Sequence, residues 1–523
     1  MKILFVTGQL ASKYVRDITS NLNVENDILV IPYPVAALLT PKMIIKYLRG
    51  KSDLSEYDMI MVPGLISGDL NIIEKKFGIP TYKGPKDAGD IPYIVDLLIK
   101  GKIKLSKERP ACEMVNISQD RRFMEDYYRI LNINRERTHR TGNYVKVGNV
   151  IISKYLPLTI IAEVINAPKL SKSELISKIT HYVKSGAHII DIGMVAGENN
   201  ADKIPEIMRV VRRVTDLPIS IDTLNVDEIE VAVENNIDMI ISLDLGNIDV
   251  VHDLVKDVCC VLIPCNHLEN YYPEDIDEKI NAMRRMVDKA VKYDIRSYLC
   301  DLILDPIHSI SLTDSIVAFQ KFSKMYPDTQ LMMGVGNVTE LIDVDSPGLN
   351  AILAGLASEL GVSAILTTEA SDKTYGTVRE LSILAKMMYV AKYRHIPPKD
   401  LGINLLLLKE KRKRKIEYEI PNKAMIVEGG EGKHEIKPDS KGFFRIWIDW
   451  SRRKIIAMHY KLGDNINPDV VIVGNKASDI YMKIIELNLV SELSHAAYLG
   501  KELTKAEIAL KLGRSYIQDE DIF

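Results

Sequence analysis

Between residues 158 and 388, acidic and amide side chains recur at the ends of short apolar runs. The runs are 158–165, 188–192, 218–221, 239–243, 260–263, 298–304, 331–334 and 364–367. The groups at or just past them include Asn166, Asp191, Asp222, Ser242 with Asp244, Asp305, Asn337 and Glu369. Taken singly, an Asp after a strand reads as the N-cap of the next helix. Taken together, carboxylates pooled in one mouth repel each other and lose hydration unless something meets them. A metal would satisfy them. There is no HxH pair, however, and His267 and His308 stand alone, read as surface or capping residues. A flat ring with several N–H groups, such as a guanidine-like aminopyrimidine, fits acids and amides best, because its donors pair with carboxylate oxygens in one plane.

The elements that must hold these groups follow from periodicity. Each run is 4 to 8 residues long and bounded by polar or turn residues, as strands buried on both faces should be. Amphipathic patterns lie between them, at 173–185, 201–215 and 226–235. Ser171 followed by Glu174 is a capping-box signature for the first. Eight such units over roughly 230 residues predict a (β/α)8 TIM-type barrel, usually about 250 residues, with polar groups delivered to the C-terminal face. A doubly wound open sheet is the alternative.

With 523 residues, the chain suggests about three domains at roughly 150 residues each. We place them at 1–150, 151–400 and 401–523. In the first, strands at 2–6, 27–32 and 59–62 alternate with helical patterns, predicting a small parallel α/β domain. Its Thr7-Gly8 and Pro63-Gly64 turns match neither GxGxxG nor a P-loop. The turn 83–90 carries Lys83 and Lys86 beside Gly84-Pro85; it reads as an exposed turn ahead of a helix at Ile91, with a phosphate site as the other reading. Residues 104–149 read as a helix plus connector whose arginines, among them Arg121, Arg122, Arg129 and Arg137, could reach over the barrel mouth. The last domain has strands at 443–449, 454–459 and 470–473 and helices at 477–487 and 494–512, a small α+β or α/β unit.

Composition excludes several classes. Apolar and charged fractions of 46% and 27% are those of a soluble globular protein. A net charge of −3 gives no whole-chain reason to expect nucleic acid. The basic run 409–415 is read as a solvated linker. No apolar run approaches the ~20 residues of a membrane helix. The five cysteines show no CxxC spacing, and four lie in or beside expected buried strands, which fits a reducing cytoplasm.

The barrel resembles the pterin-binding family of dihydropteroate synthases and methyltetrahydrofolate-dependent methyltransferases. The resemblance is carried by Val164-Ile165-Asn166-Ala167-Pro168, Gly186-Ala187-His188-Ile189-Ile190-Asp191-Ile192-Gly193, Pro218-Ile219-Ser220-Ile221-Asp222-Thr223 and Ile303-Leu304-Asp305-Pro306. It implies that Asp222 and Asp305 bind the aminopyrimidine side of a pterin. Ser242 or Asp244 would contact the ring, and Asn166 would help hold a pyrophosphate and Mg2+. Asp191, at the end of its strand, joins the pterin set. The segment Gly334-Val335-Gly336-Asn337-Val338-Thr339 stands where a synthase carries a lysine, and resembles the methyltransferase form, in which an asparagine contacts the pterin. A synthase Arg-x-His is replaced by Thr367-Thr368-Glu369, so anion binding falls to Lys169, Lys373, Arg379 or an N-terminal arginine. The Thr-Gly, Pro-Gly and Gly-Pro-Lys-Asp turns resemble the leader domain of archaeal and bacterial relatives of this group. Ser494-His495-Ala496-Ala497-Tyr498 resembles their C-terminal module, with His495 read as packing on Tyr498.

The resemblance implies a transferase joining 6-hydroxymethyl-dihydropterin diphosphate to an arylamine. The extra N-terminal domain suggests an acceptor larger than 4-aminobenzoate, such as 4-(β-D-ribofuranosyl)aminobenzene 5′-phosphate of methanopterin-type carriers. A methyl-tetrahydropterin methyltransferase and a non-catalytic pterin-binding protein are the alternatives. Family barrels commonly pair through outer helices, which makes a homodimer an expectation.

Overall fold

Parallel pairing governs most of the chain. The computed structural model describes residues 1–20, 22–51, 53–114, 119–410, 425, 427, 429 and 438–522, with backbone alone for 119–122. The side chains of Arg121 and Arg122, and most of the basic run 409–415, fall outside the described residues. Residues 1–409 and 410–523 form two compact units.

The first unit opens with β1 (Lys2–Gly8), β2 (Glu25–Ile31), β3 (Met59–Val62) and β4 (Thr81–Lys83). They make a four-stranded parallel sheet of order β2-β1-β3-β4. Leu4, Val6, Ile31, Ile60 and Val62 anchor one face, and Ile3, Phe5 and Met61 the other, so helices cover both. β4 is only three residues long and shows no periodicity from which it could be read.

A helix at Gln119–Thr141 and a short antiparallel hairpin, β5 (Val145–Val147) with β6 (Val150–Ile152), lead into the barrel. The barrel strands are β7 (Thr159–Val164), β8 (Ile189–Gly193), β9 (Ile219–Asp222), β10 (Met239–Leu243), β11 (Cys259–Leu262), β12 (Tyr298–Cys300), β13 (Gln330–Gly334) and β14 (Ala364–Thr368). They pair in sequence and β14 closes on β7, which settles the choice between a barrel and an open sheet. The predicted capping box is present: Ser171 Oγ accepts from the Glu174 amide, and Glu174 accepts from the Ser171 amide at 2.8 Å.

The hairpin closes the starting end of the barrel. Val147 and Ile152 pack with Ile161, Ile189, Met239, Cys259 and Leu299, all near strand starts. The Lys154 amide donates to Gln330 Oε1 at 2.9 Å, at the first residue of β13. The connector's hairpin therefore lies under the barrel, and Arg129 and Arg137 make contacts within the connector. Arg129 pairs with Asp126 and Arg137 stacks on Tyr155.

The N-terminal domain docks at that same lower end. The last barrel helix, Thr377–Arg394, starts at the mouth and runs 18 residues, about 27 Å at 1.5 Å per residue. At its foot, buried Arg394 donates to Asp87 at 2.8 Å and to Asp126 at 2.9 Å. A Cβ at Gly89 would stand 2.6 Å from the Arg394 guanidinium, so any larger residue there would displace it. Lys86 pairs with Glu113. The segment 83–90 is thus a docking turn rather than a free exposed one.

In the second unit, β15 (Phe443–Asp449), β16 (Lys454–Tyr460) and β17 (Val470–Gly474) form an antiparallel sheet. Helices Ala477–Glu486 and Leu493–Leu512 pack on it around Ile446, Ile455, Ile480 and Leu503, an α+β arrangement. His495 is buried, stacks on Tyr498 and meets Asp439 at 3.1 Å. The five cysteines are free, four of them buried. No helix among the described residues is long and apolar enough to cross a membrane.

Removing the cation from a buried ion pair leaves its partners uncompensated and costs about 3–5 kcal/mol. Arg394→Ala should lower unfolding free energy by about that much in a urea titration. A loss well under ~1 kcal/mol, the range of exposed pairs, would show that this contact is solvated.

Candidate functional site

Side chains on a strand alternate, so residues two apart share a face. Ile161, Ile189 and Leu299 point into the barrel core. Two residues onward on each of those paths stand Glu163, Asp191 and Asp301. Asp222 ends the neighbouring strand β9. One carboxylate oxygen from each of Glu163, Asp191 and Asp222 lies within 4.8 Å of the others. The acids thus gather inside the barrel at its C-terminal end.

Two serines orient them. Ser220 Oγ donates to Asp191 Oδ1 at 2.6 Å, and Ser242 Oγ donates to Asp222 Oδ1 at 2.7 Å. Ser242 does so from a left-handed backbone, φ +79°, where the register of β10 against β11 shifts. Such a conformation in a serine costs about 1–3 kcal/mol and is kept where surroundings over-determine it. Asp301 accepts from the Ile303 and Gly334 amides at 2.8 and 3.2 Å. Asp191 is fully buried, and its Oδ2 has no partner. A Cβ at Gly193 would stand 2.4 Å from Glu163 Oε1, so the carboxyl lies directly over that glycine.

Among the described residues, no lysine, arginine or histidine forms an ion pair with any of these four acids. Burial, then the nearby Asp222, pushes Glu163 up to about 8. Burial pushes Asp301 up to about 7 against the pull of its two amide donors and Lys279. Asp191 is raised well above the carboxylate range by burial, with Asp222 and Glu163 adding to it. Asp222 is raised by burial, opposed by Ser242. At neutral pH the cluster therefore holds protons and can donate as well as accept.

The other expected residues have different surroundings. Asp244 is buried and accepts from the Gly246, Asn247 and His267 amides and meets His267 Nδ1, all within 3.1 Å. It builds the β10 turn, and of the Ser242/Asp244 pair only Ser242 reaches the acid cluster. His267 is accordingly not isolated. Asp305 is bound by buried Lys279 and by Ser315, each at 2.6 Å, with both ion-pair side chains at most 6% exposed. Asn337 donates to the Leu304 carbonyl at 3.1 Å, leaving its amide oxygen free of that bond. Asn166 is exposed at the end of β7 in a left-handed conformation, φ +49°. Lys169 pairs with Glu198 and Lys373 with Asp343, each at 2.9 Å, while Arg379 is exposed in the first turn of the last barrel helix. Glu163, Asp301 and Lys279 are not among the residues expected from the sequence. The first two are signalled by in-strand alternation with Ile161 and Leu299; Lys279 carries no such signal.

A family model described as pterin binding enzyme matches residues 166–363. The uncharacterized protein MJ0107 of Methanocaldococcus jannaschii is 38% identical over 539 aligned residues, covering 100% of this chain and 99% of that one. The chain belongs to the pterin-binding enzyme family. Residues 1–86 of this pterin-binding family member match a family of unknown function, DUF6513, and residues 438–519 match PterinBD-DUF4346. The Ycf91-like protein of a Nostoc species is 32% identical over 105 residues, 16% of this chain and 83% of that one. Among solved structures, Yersinia pestis dihydropteroate synthase with a pterine–sulfa conjugate is 14% identical with a TM-score of 0.38, over 48% of this chain and 99% of that one. The pterin-binding barrel and its two additions are thus the architecture read from the sequence.

The raised carboxyls set a pH dependence. A group whose pKa is higher in the fold than in the unfolded chain stabilises at low pH, and that contribution is lost as pH rises through the folded value. In chelator-treated, ligand-free protein, thermal stability should fall from about pH 4, where these carboxyls ionise in the unfolded chain, up to the folded values of about 7 and 8, and level off above them. Glu163→Gln should flatten the fall and be the more stable form at the alkaline end. Parallel melting curves for the two proteins would refute this account of the cluster.

Proposed function

We propose that this barrel condenses a 6-hydroxymethyl-7,8-dihydropterin diphosphate with an arylamine and releases pyrophosphate. The observation that carries the reading is the set of inward acids beneath the mouth, with Ser242 bound to Asp222. An aminopyrimidine supplies several N–H donors in one plane, and Asp222 and Ser242, with Asp191 behind them, stand where they would receive it. Asn337 would contact the ring from the loop after β13, and the Asp305–Lys279 pair would support the wall beside it.

The chemistry asks little else of the protein. The arylamine nitrogen attacks the exocyclic methylene carbon, the carbon–oxygen bond to the diphosphate breaks, and the diphosphate leaves with the electron pair. The ammonium product then loses a proton to solvent. The leaving diphosphate is the largest developing charge, and cations nearby lower its barrier. Asn166 offers an exposed amide oxygen at the mouth, so it fits as one ligand of a Mg2+ that would neutralise the diphosphate. Lys169, Lys373 and Arg379 are the candidate cations. The first two hold exposed carboxylates, Glu198 and Asp343, in solvated contacts weak enough for an arriving phosphate to displace.

The acceptor we favour is 4-(β-D-ribofuranosyl)aminobenzene 5′-phosphate. Within one chain its phosphate would be met by barrel loops, since the N-terminal domain docks at the opposite end. A second reading, a methyl-tetrahydropterin methyltransferase, is favoured by Asn337 standing where a synthase lysine is expected. A protein that binds the pterin without turning it over is the third.

Purified protein with the pterin diphosphate, the arylamine phosphate and Mg2+ should release pyrophosphate. Release that depends on both organic substrates supports the synthase, whereas tight binding of a methyl-tetrahydropterin with no release moves the assignment to the methyltransferase. Asp222→Asn should weaken pterin binding by roughly tenfold or more, the ~1.5–3 kcal/mol of a hydrogen bond to a charged group. Unchanged affinity in calorimetry would place the pterin elsewhere.

A further inference from the structure

We propose that Glu163, Asp191 and Asp222 form a divalent-cation site on the floor of the barrel mouth, of the all-oxygen class that takes Mg2+ or Mn2+. Such a site would bind its ion whether or not a pterin is present.

The spacing is the first reason. Oxygens bound to a Mg2+ at about 2.1 Å lie roughly 3 Å apart when adjacent and about 4.2 Å apart when opposite. The three carboxylates bring one oxygen each within 4.8 Å of the others, somewhat wider than that span, so the acids would draw in on one small ion as it binds. The donor set is hard oxygen with neither imidazole nor thiolate, which suits Mg2+ and Mn2+ better than Zn2+.

The unpartnered oxygen is the second reason, and it is independent of the clustering. Asp191 is 0% exposed. Its Oδ1 takes the Ser220 hydroxyl, while Oδ2 has no donor at all. Leaving a buried acceptor unmet costs about 1–3 kcal/mol, more when it is charged. An ion seated between the three acids meets that oxygen directly.

The support around the acids is that of a ligand set held in place. Metal-binding carboxylates are usually fixed by outer hydrogen bonds to the oxygen that does not bind. Ser220 holds one oxygen of Asp191 and Ser242 one oxygen of Asp222, so each acid keeps its other oxygen for the ion. Gly193 leaves the space that the Glu163 carboxyl occupies. Three protein oxygens leave about three of six positions to water or to a ring oxygen or nitrogen of a bound substrate. Asn166 lies three residues beyond Glu163, exposed past the strand end, so this site is separate from a diphosphate-linked Mg2+ held by Asn166.

The test uses Mn2+ alone, with no pterin. Chelator-stripped full-length protein is titrated with Mn2+, and the free ion is followed by electron paramagnetic resonance and the heat by calorimetry. We expect one Mn2+ per chain, competed by Mg2+. Glu163→Gln and Asp191→Asn should each weaken it at least tenfold, and Asn166→Ala should leave it unchanged. Mn2+ should also raise the melting temperature of the natural protein and not of either acid variant, a comparison read within each protein that survives any change in basal stability. No saturable uptake, uptake indifferent to Glu163→Gln and Asp191→Asn, or uptake abolished by Asn166→Ala would each overturn the proposal. Because no pterin is present, failure here leaves the pterin-binding assay untouched, and the reverse holds as well.

Discussion

Four carboxyl groups share a space inside the barrel in which they cannot all be charged without a counter-ion, and much of the local structure answers to that constraint. Removing a carboxylate from water is expensive, and a like-charged neighbour adds to the expense. The fold meets this in three ways. Serine hydroxyls and strand-end amides hold individual oxygens. Protons stay on the acids to higher pH than usual. A backbone position is strained at Ser242 so that one hydroxyl arrives where it is needed. Such strain is what a site held ready for a ligand requires, since a looser loop would let the acids separate.

Asp301 and Asp305 make the same point by contrast. They stand four residues apart on one strand path. Asp305 faces Lys279 and is neutralised by a full ion pair, whereas Asp301 faces the other acids and is held by amides alone. The first is built as part of the wall and the second as part of the floor. The two ends of the barrel divide in the same manner. The lower end is plugged by apolar residues of β5 and β6. The upper end gathers buried acids below the mouth, without counter-ions among the described residues, the usual separation of stability from function in this architecture.

How much of this could be read from the chain depends on the range of the interaction. The eight barrel strands, the capping box and the alternation of β1 to β3 with helices are local patterns of three to eight residues, and periodicity reveals them. β4, β5 and β6 have three residues each, too few for a period to show. Asp191 and Asp222 stand out as acids at strand ends. Glu163 and Asp301 lie inside the apolar runs 158–165 and 298–304, where a strand-end pattern does not reach them, although alternation with Ile161 and Leu299 marks them as inward. Asp222 and Asp244 look alike in sequence, and beyond the turn amides that Asp244 accepts, their environments part through partners 20 and 23 residues away. Asp305 has its lysine 26 residues earlier. No window of local reading spans those distances. The role of the turn at 83–90 is further out of reach, since it is decided by Arg394.

That last contact bears on how the protein is made. Asp87 and Arg394 are 307 residues apart in the chain. At a synthesis rate of about 5–20 residues per second, Asp87 leaves the ribosome roughly 15 to 60 s before the guanidinium that will neutralise it. Through that interval the leader domain can form its own parallel sheet, but the face carrying Asp87 has no counter-charge and must stay hydrated. This ion pair therefore closes late, only once the final turn of the barrel's last helix has been made. A chain interrupted before residue 394 would lack it, so the buried charge at the leader's foot is tied to completion of the barrel.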